Sequence, residues 1–195
     1  MNLRSGVVTG LIVLGSSVVC MNAAMAQQSG SPQTVSAYDY IGLQLNDHDQ
    51  GDDSLSVQGS YTFQNPYFVN GYYRNLDSDD FGSDRHSYGI GLGRYWWLNN
   101  GIGNGLWFDV QGRLGRIDFG PADTNFWGVD ANLRQRIDQF EIYGGVGYRD
   151  YSDAGDDTVY QFGLDYYLNS DFSVGVGYED SEFGDGLRLK ASYHF

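Results

Sequence analysis

The chain has 195 residues, of which 41% are hydrophobic, 16% aromatic and only 18% charged, and its formal net charge is −14. With 25 acidic against 11 basic residues it carries no basic patch of the kind that binds nucleic acid. Beyond residue 26 no apolar run approaches the ~20 residues a spanning helix needs, so the 28 Gly, 16 Tyr, 11 Phe and 4 Trp must be read as strand and turn material.

The first segment, MNLRSGVVTGLIVLGSSVVCMNAAMA, sets Arg4 before an apolar run and Ala24-Met25-Ala26 before Gln27. That is the layout of a secretory signal peptide cut after Ala26. A lipoprotein cut before Cys20 is disfavoured, because Val19 stands where such signals place a small residue. Residues 1–26 are therefore expected to be signal peptide, 27–33 a flexible leader and 34–195 a single β-domain. Cleavage removes Cys20, the one cysteine, and with it any disulfide or thiolate chemistry. It also removes Arg4, which takes the net charge to −15.

From there, short alternating segments follow one another, separated by turn-rich clusters and almost free of helical periodicity. The strands predicted are 36–45, 54–63, 67–76, 86–97, 106–119, 125–137, 140–151, 158–167, 172–181 and 187–195. Most lie near the ~9–11 residues with which a tilted strand crosses a bilayer. One face of each stays apolar, as in Leu55, Val57, Tyr61 and Phe63 or in Trp127, Val129, Ala131 and Leu133. The opposite face holds Asp109, Asp130, Glu141, Asp165 and Glu179 together with Arg74, Arg113, Arg134, Arg136, Arg149, Arg188 and Lys190. The fold class expected is all-β: a transmembrane antiparallel up-and-down β-barrel of ten strands, with eight the alternative, behind a signal peptide.

Three features disturb the alternation. Asp39 and Arg94 fall on apolar faces near strand ends, where charges snorkel, and the pattern slips between Leu114 and Ile117, where a bulge would shift the parity. Connections alternate in character: NDHDQGDD, DSDDFGSDR, DFGPADT, DYSDAGDD and DSEFGDG are long and acidic, while QNP, LNNGIGNG, DQ and LNSD carry little charge. Outer-membrane barrels have longer external loops and short periplasmic turns. Aromatic residues at strand ends, among them Trp96, Phe126, Trp127, Phe140, Tyr148, Tyr166 and Phe172, suggest interfacial girdles.

The last strand, LRLKASYHF, sets Leu187, Leu189, Ala191, Tyr193 and Phe195 at every second place. It resembles the C-terminal assembly signal of bacterial outer-membrane barrels. The layout of the mature chain resembles the small single-chain barrels of the OmpA-like and opacity-like superfamily, most closely the small barrel proteins of xanthomonads. This resemblance implies residence in the outer membrane of a Gram-negative cell. It also implies periplasmic chaperones as escorts, and a barrel-assembly machinery that recognises Phe195 and Tyr193.

In a ring of about ten strands the inward charges should form a network that fills the lumen, because wide aqueous channels belong to barrels of ~16 strands. The lumen network expected is Arg113, Arg134, Arg136, Arg149 and Lys190 against Asp109, Asp130, Glu141, Asp165 and Glu179. Inward glycines such as Gly145, Gly147, Gly175 and Gly177 make room for these long side chains. The function read from this is an integral barrel with a largely plugged lumen and acidic external loops, in a structural or surface role. The alternatives are a narrow porin-like conduit for small solutes or ions and an outer-membrane hydrolase. Membrane lipid is the expected partner, divalent cations are the ligands open to the acidic loops, and nucleic acid is repelled.

No metal or cofactor site emerges. Counting back from Gly51 or Gly82 gives no calcium-loop spacing, and GIGLG lacks the dinucleotide fingerprint. No catalytic residue is assigned: His86 and Ser87 are strand neighbours that point to opposite faces, His48 is expected in the solvated first loop, and His194 in the lumen.

Overall fold

The computed structural model describes residues 37–48, 53–77, 85–98, 105–119, 123–181 and 184–195, all of which lie in the compact unit spanning residues 34–195. The signal peptide and leader lie outside the described residues. Ten strands form: β1 (Tyr40–His48), β2 (Asp53–Gln64), β3 (Tyr67–Asp77), β4 (Arg85–Leu98), β5 (Gly105–Asp118), β6 (Asp123–Ile137), β7 (Phe140–Tyr151), β8 (Gly155–Tyr167), β9 (Phe172–Ser181) and β10 (Gly184–His194). Each pairs antiparallel with its neighbours in sequence, and β1 pairs with β10, Leu45 opposite Leu189, to close the ring. Closure leaves no free edge, so every strand can spend its backbone donors and acceptors inside the sheet. An even strand number puts both described chain ends at one mouth, the terminal end; Asp118, Asp123, Asp150 and Asp156 lie at the other, the acidic end.

The outer wall is apolar, with Ile90, Val146 and Leu187 more than 60% exposed. Aromatic pairs mark two levels. At the terminal end Phe140 packs on Tyr166 (5.1 Å between centroids), Phe172 on Tyr193 (5.1 Å) and Trp96 on Phe108 (5.6 Å). Towards the acidic end Trp127 packs on Tyr148 (5.8 Å) and Phe162 on Tyr178 (5.7 Å). Arg94, the charge on the apolar face, stacks over Trp96 (5.0 Å) and Tyr67 (5.6 Å) at the terminal girdle. Its stem can lie along the wall while the guanidinium stays at the interface.

The structure departs from the sequence reading in five places. The first strand begins at Tyr40, not 36. Ala37 and Tyr38 form a turn buried in the barrel mouth, and Asp39 accepts a hydrogen bond from the backbone N–H of Thr62 (2.5 Å) in place of a strand position. Between Leu114 and Ile117 there is no bulge: the register of β5 runs unbroken against both neighbours. Ile117 faces the lumen, buried, while Arg116 points outward and pairs with Asp123. Phe126 is no girdle residue; it too is buried inside.

The expected acidic connections are shorter than drawn, because pairing continues into them, with Asp118 opposite Asp123, Asp150 opposite Asp156 and Asp185 opposite Asp180. What remains between β7 and β8 is a three-residue turn closed by Gly155, whose φ of +83° suits a residue without a Cβ. Lastly, His48 is not in a solvated loop but ends β1, buried.

Candidate functional site

Strand parity builds the lumen. Every second residue points inward, so Asp109, Gln111 and Arg113 on β5 meet Asp130, Asn132 and Arg134 on β6 and Glu141, Tyr143 and Arg149 on β7. Two carboxylates act as hubs, each holding two guanidiniums. Glu179 accepts from Arg74 Nη2, from Arg188 Nη1 (2.6 Å) and from Gln44 Nε2 (3.1 Å). Asp130 lies 2.7 Å from Arg149 Nη1 and 3.3 Å from Arg113 Nε, and accepts from Gln111 Nε2 (3.1 Å).

Nearer the terminal end, Arg134 sits between Glu141 (3.2 Å) and Asp109 (3.9 Å), and Lys190 Nζ donates to Asp165 (2.5 Å). Arg134, Arg188 and Lys190 surround the ring of Tyr143 at 5.6, 5.3 and 4.9 Å, and Arg188 also donates to its hydroxyl (2.7 Å). Arg136 makes none of these ion pairs and lies over Tyr167, 3.7 Å from the centroid. All ten charged residues expected in the lumen thus face it, as do Arg74 and Arg188.

Neutral amides link the Glu179 hub to Asp109. Arg188 Nη1 donates to Gln161 (3.2 Å), Gln161 Nε2 to Asn132 (3.0 Å), and Asn132 Nδ2 to Asp109 (2.8 Å). Burying the charges of the two hubs, of Arg134 and of Lys190 is tolerable only because each meets an opposite charge. Gly145, Gly147 and Gly175 stand where a Cβ would run into the Asn132, Asp130 and Asp165 side chains respectively.

Across the terminal mouth lie residues the sequence reading left out. Tyr38 stacks on Tyr95 (4.5 Å, 5° between planes) and packs on Phe68 (4.7 Å); its hydroxyl donates to Asp109 (2.9 Å), and Arg134 lies over its ring at 5.6 Å. Burial pushes the Tyr38 phenol well above its ordinary value, so it stays a neutral donor to the Asp109 carboxylate. Above these rings lies a cavity of about 140 Å³, lined by both hubs. The inward parity of Phe68 and Tyr95 was legible in the strand pattern, but Tyr38 precedes β1, and no periodicity announces it.

The family model for Gram-negative porins matches residues 21–186. The chain belongs to the Gram-negative porin family. The porin therefore resides in the outer membrane, and its apolar wall is the face that lipid covers. No curated protein matches it. Among solved structures it is similar to the KdgM porin, with 10% identity over 80% of this chain and 99% of that one and a TM-score of 0.49. It is also similar to the NanC porin, with 11% identity over 80% and 98% and a TM-score of 0.43. Omp33 of Acinetobacter baumannii shares 15% identity over 81% and 98%, with a TM-score of 0.38.

The porin's three histidines occupy different settings. His48 Nε2 lies 3.0 Å from Ser54 Oγ and its Nδ1 3.3 Å from the Gly184 carbonyl. This is a histidine against a serine across a hairpin, yet both are buried and neither lines the lumen cavity. His86 reaches the Tyr73 hydroxyl (3.1 Å) on the outer face, whereas Ser87 reaches the Tyr72 hydroxyl (3.0 Å) inside, so the two do not form a dyad. His194 faces the lumen against Ser173 (2.9 Å). Leu187, Leu189, Ala191 and Tyr193 share the outward face of β10, which ends at His194 and not at 195 as expected; Phe195 follows it, exposed, and stacks on Tyr61 (6.4 Å).

Proposed function

We propose that this porin is a closed, non-enzymatic barrel whose role is structural and surface-facing, its acidic end turned to the medium and its lumen sealed. Ten strands spaced ~4.8 Å apart and tilted ~40° make a backbone ring of radius about 10 Å, and an inward arginine takes up more than half of that. The observation that carries the reading is that Arg74, Arg149, Arg188 and Lys190 spend donors on the carboxylates opposite, leaving a cavity of about 140 Å³ with Tyr38 across its terminal mouth. The layout likeness to OmpA-like and opacity-like barrels supports the same reading.

Membership of the porin family favours a second one, a narrow conduit for small ions. Purified protein in planar lipid bilayers separates the two. The sealed lumen predicts a silent membrane; reproducible single-channel steps from the unaltered protein would establish the conduit instead. We also assign the outward row that ends in Tyr193 and Phe195 to recognition by the barrel-assembly machinery, after delivery by periplasmic chaperones. The aspartate pairs of the acidic end attract divalent cations as a diffuse cloud.

A further inference from the structure

We infer that the lumen cavity is a binding site for a small oxyanion, gripped by Arg113 and flanked by the other arginines of the two hubs. The first argument is charge. Among the described residues six cationic side chains line the cavity; Arg134 and Lys190 are met by Glu141 and Asp165, and the other four belong to the two hubs. Asp130 neutralises one of the two guanidiniums it holds, Arg113 and Arg149, so this hub retains a net positive charge, and it looks onto the same space as the Glu179 hub. A net charge held inside a low-dielectric ring is costly unless a counter-charge joins it. The chain as a whole carries −14, so this excess is a local feature of the lumen and no consequence of overall composition.

The second argument is the placing of Arg113. It is the most accessible arginine of the two hubs, with 22% of its side chain exposed against 9% or less for Arg74, Arg149 and Arg188. Its Nε is 3.3 Å from Asp130 but lacks hydrogen-bond geometry, so the guanidinium fork is not consumed by its carboxylate. Arg113 and Arg74, which belong to different hubs, lie 5.4 and 6.0 Å from the centroid of one ring, that of Tyr72. Tyr72 therefore meets a cation from each of the two hubs at the cavity wall.

A planar guanidinium with free donors matches the oxygens of a phosphate, sulfate or carboxylate in pairs, which a spherical chloride cannot exploit. The volume of about 140 Å³ suits such an anion with a few waters and excludes a polymer. Strands enclose the cavity on every side, so the ligand is a free anion and not a lipid headgroup.

The test uses inorganic phosphate and the folded protein in detergent. Thermal unfolding is followed in sodium phosphate and in sodium chloride of equal ionic strength, and bound phosphate is counted by equilibrium dialysis. The site predicts a midpoint that climbs with phosphate and saturates, about one phosphate retained per barrel, and at least a tenfold weaker affinity in Arg113→Gln. Should that variant fold poorly, Arg113→Lys keeps the charge and loses the fork, and the same tenfold loss is expected. Equal midpoints in the two salts with no phosphate retained, or unchanged affinity in Arg113→Lys, would overturn the inference. Conduction does not enter this measurement, so the site and the sealed-lumen reading stand or fall separately.

Discussion

Replacing Glu179 by glutamine tests whether the hubs hold the barrel together. The change keeps the side-chain shape but removes the charge that faces Arg74 and Arg188, and it turns an amide NH₂ towards one of two guanidiniums that are themselves only donors. At an effective dielectric of ~20, each close pair is worth about 4 kcal/mol at 4 Å. Breaking a buried pair by removing one partner costs about 3–5 kcal/mol. With 8% of the Glu179 side chain exposed and 9% and 6% of its partners, solvent does little to soften that loss. We expect Glu179→Gln to lower unfolding stability by about 3–5 kcal/mol in chloride buffer, read by denaturant titration with tryptophan fluorescence in lipid vesicles. Arg188→Gln alone should cost less, because Arg74 and Gln44 still hold Glu179. The double variant should fall short of the sum of the singles by about 0.5–3 kcal/mol, as residues of one network do. A Glu179→Gln stability within about 0.5 kcal/mol of the parent, or strict additivity, would refute the hub.

If the lumen is sealed as proposed, Tyr38→Ala, which removes a ring set across the terminal mouth, is expected to give small single-channel steps in planar bilayers where the unaltered protein gives none; continued silence would assign the seal to the charge network alone. Gly175→Ala sets a Cβ against the Asp165 carboxylate that holds Lys190 and within 3.0 Å of the Leu164 carbonyl, so a loss of about 1–3 kcal/mol is expected in the same titration. Gly112→Ala, with nothing within 4 Å of its Cβ on the lipid face, should be neutral or stabilising by up to about 1 kcal/mol. Phe195→Ala should reduce the share of protein found folded in the outer membrane, scored by heat-modifiable gel migration of membrane fractions, while leaving refolding from denaturant in vitro close to normal.

Parity carried most of the fold. A residue such as Asp130 stands between Val129 and Ala131, and once lipid is the neighbour of those two, the carboxylate has nowhere to point but inward. The same logic applies to each member of the two hubs. What parity could not give was the partner: Glu179 lies 105 positions from Arg74, across a ring whose closure is a property of the whole sheet. Nor could it tell a lumen-facing aromatic from a girdle aromatic at a strand end, which is why Phe126 was misplaced. Ile117 broke the apolar-out rule without breaking the backbone, because inside the acidic end, past the charged hubs, an isoleucine is as well buried as in any core. Tyr38 was invisible for another reason. It belongs to no strand, and its position follows from the rings of Phe68 and Tyr95, which only the folded barrel brings together.

The acidic connections were overdrawn for a reason that also explains the shape of the barrel. At ~3.3 Å per residue and a tilt of ~40°, the 15 residues of β6 rise about 38 Å along the barrel axis, well beyond an apolar band ~25 Å tall. Alternation of apolar and polar residues is a record of the lipid and ends where the lipid ends. Backbone pairing answers to a different demand, the satisfaction of donors and acceptors in a closed ring, and it runs on. The strands therefore continue past the girdle of Trp127 and Tyr148 as a collar in which aspartates face aspartates across the ladder, such as Asp150 opposite Asp156. Directly opposed like charges destabilise a sheet, and this collar bears them where water screens them best, outside the hydrocarbon. A sequence reader who equates the end of the apolar pattern with the end of the strand will place the loops too early at this mouth, by the length of strand that stands in water.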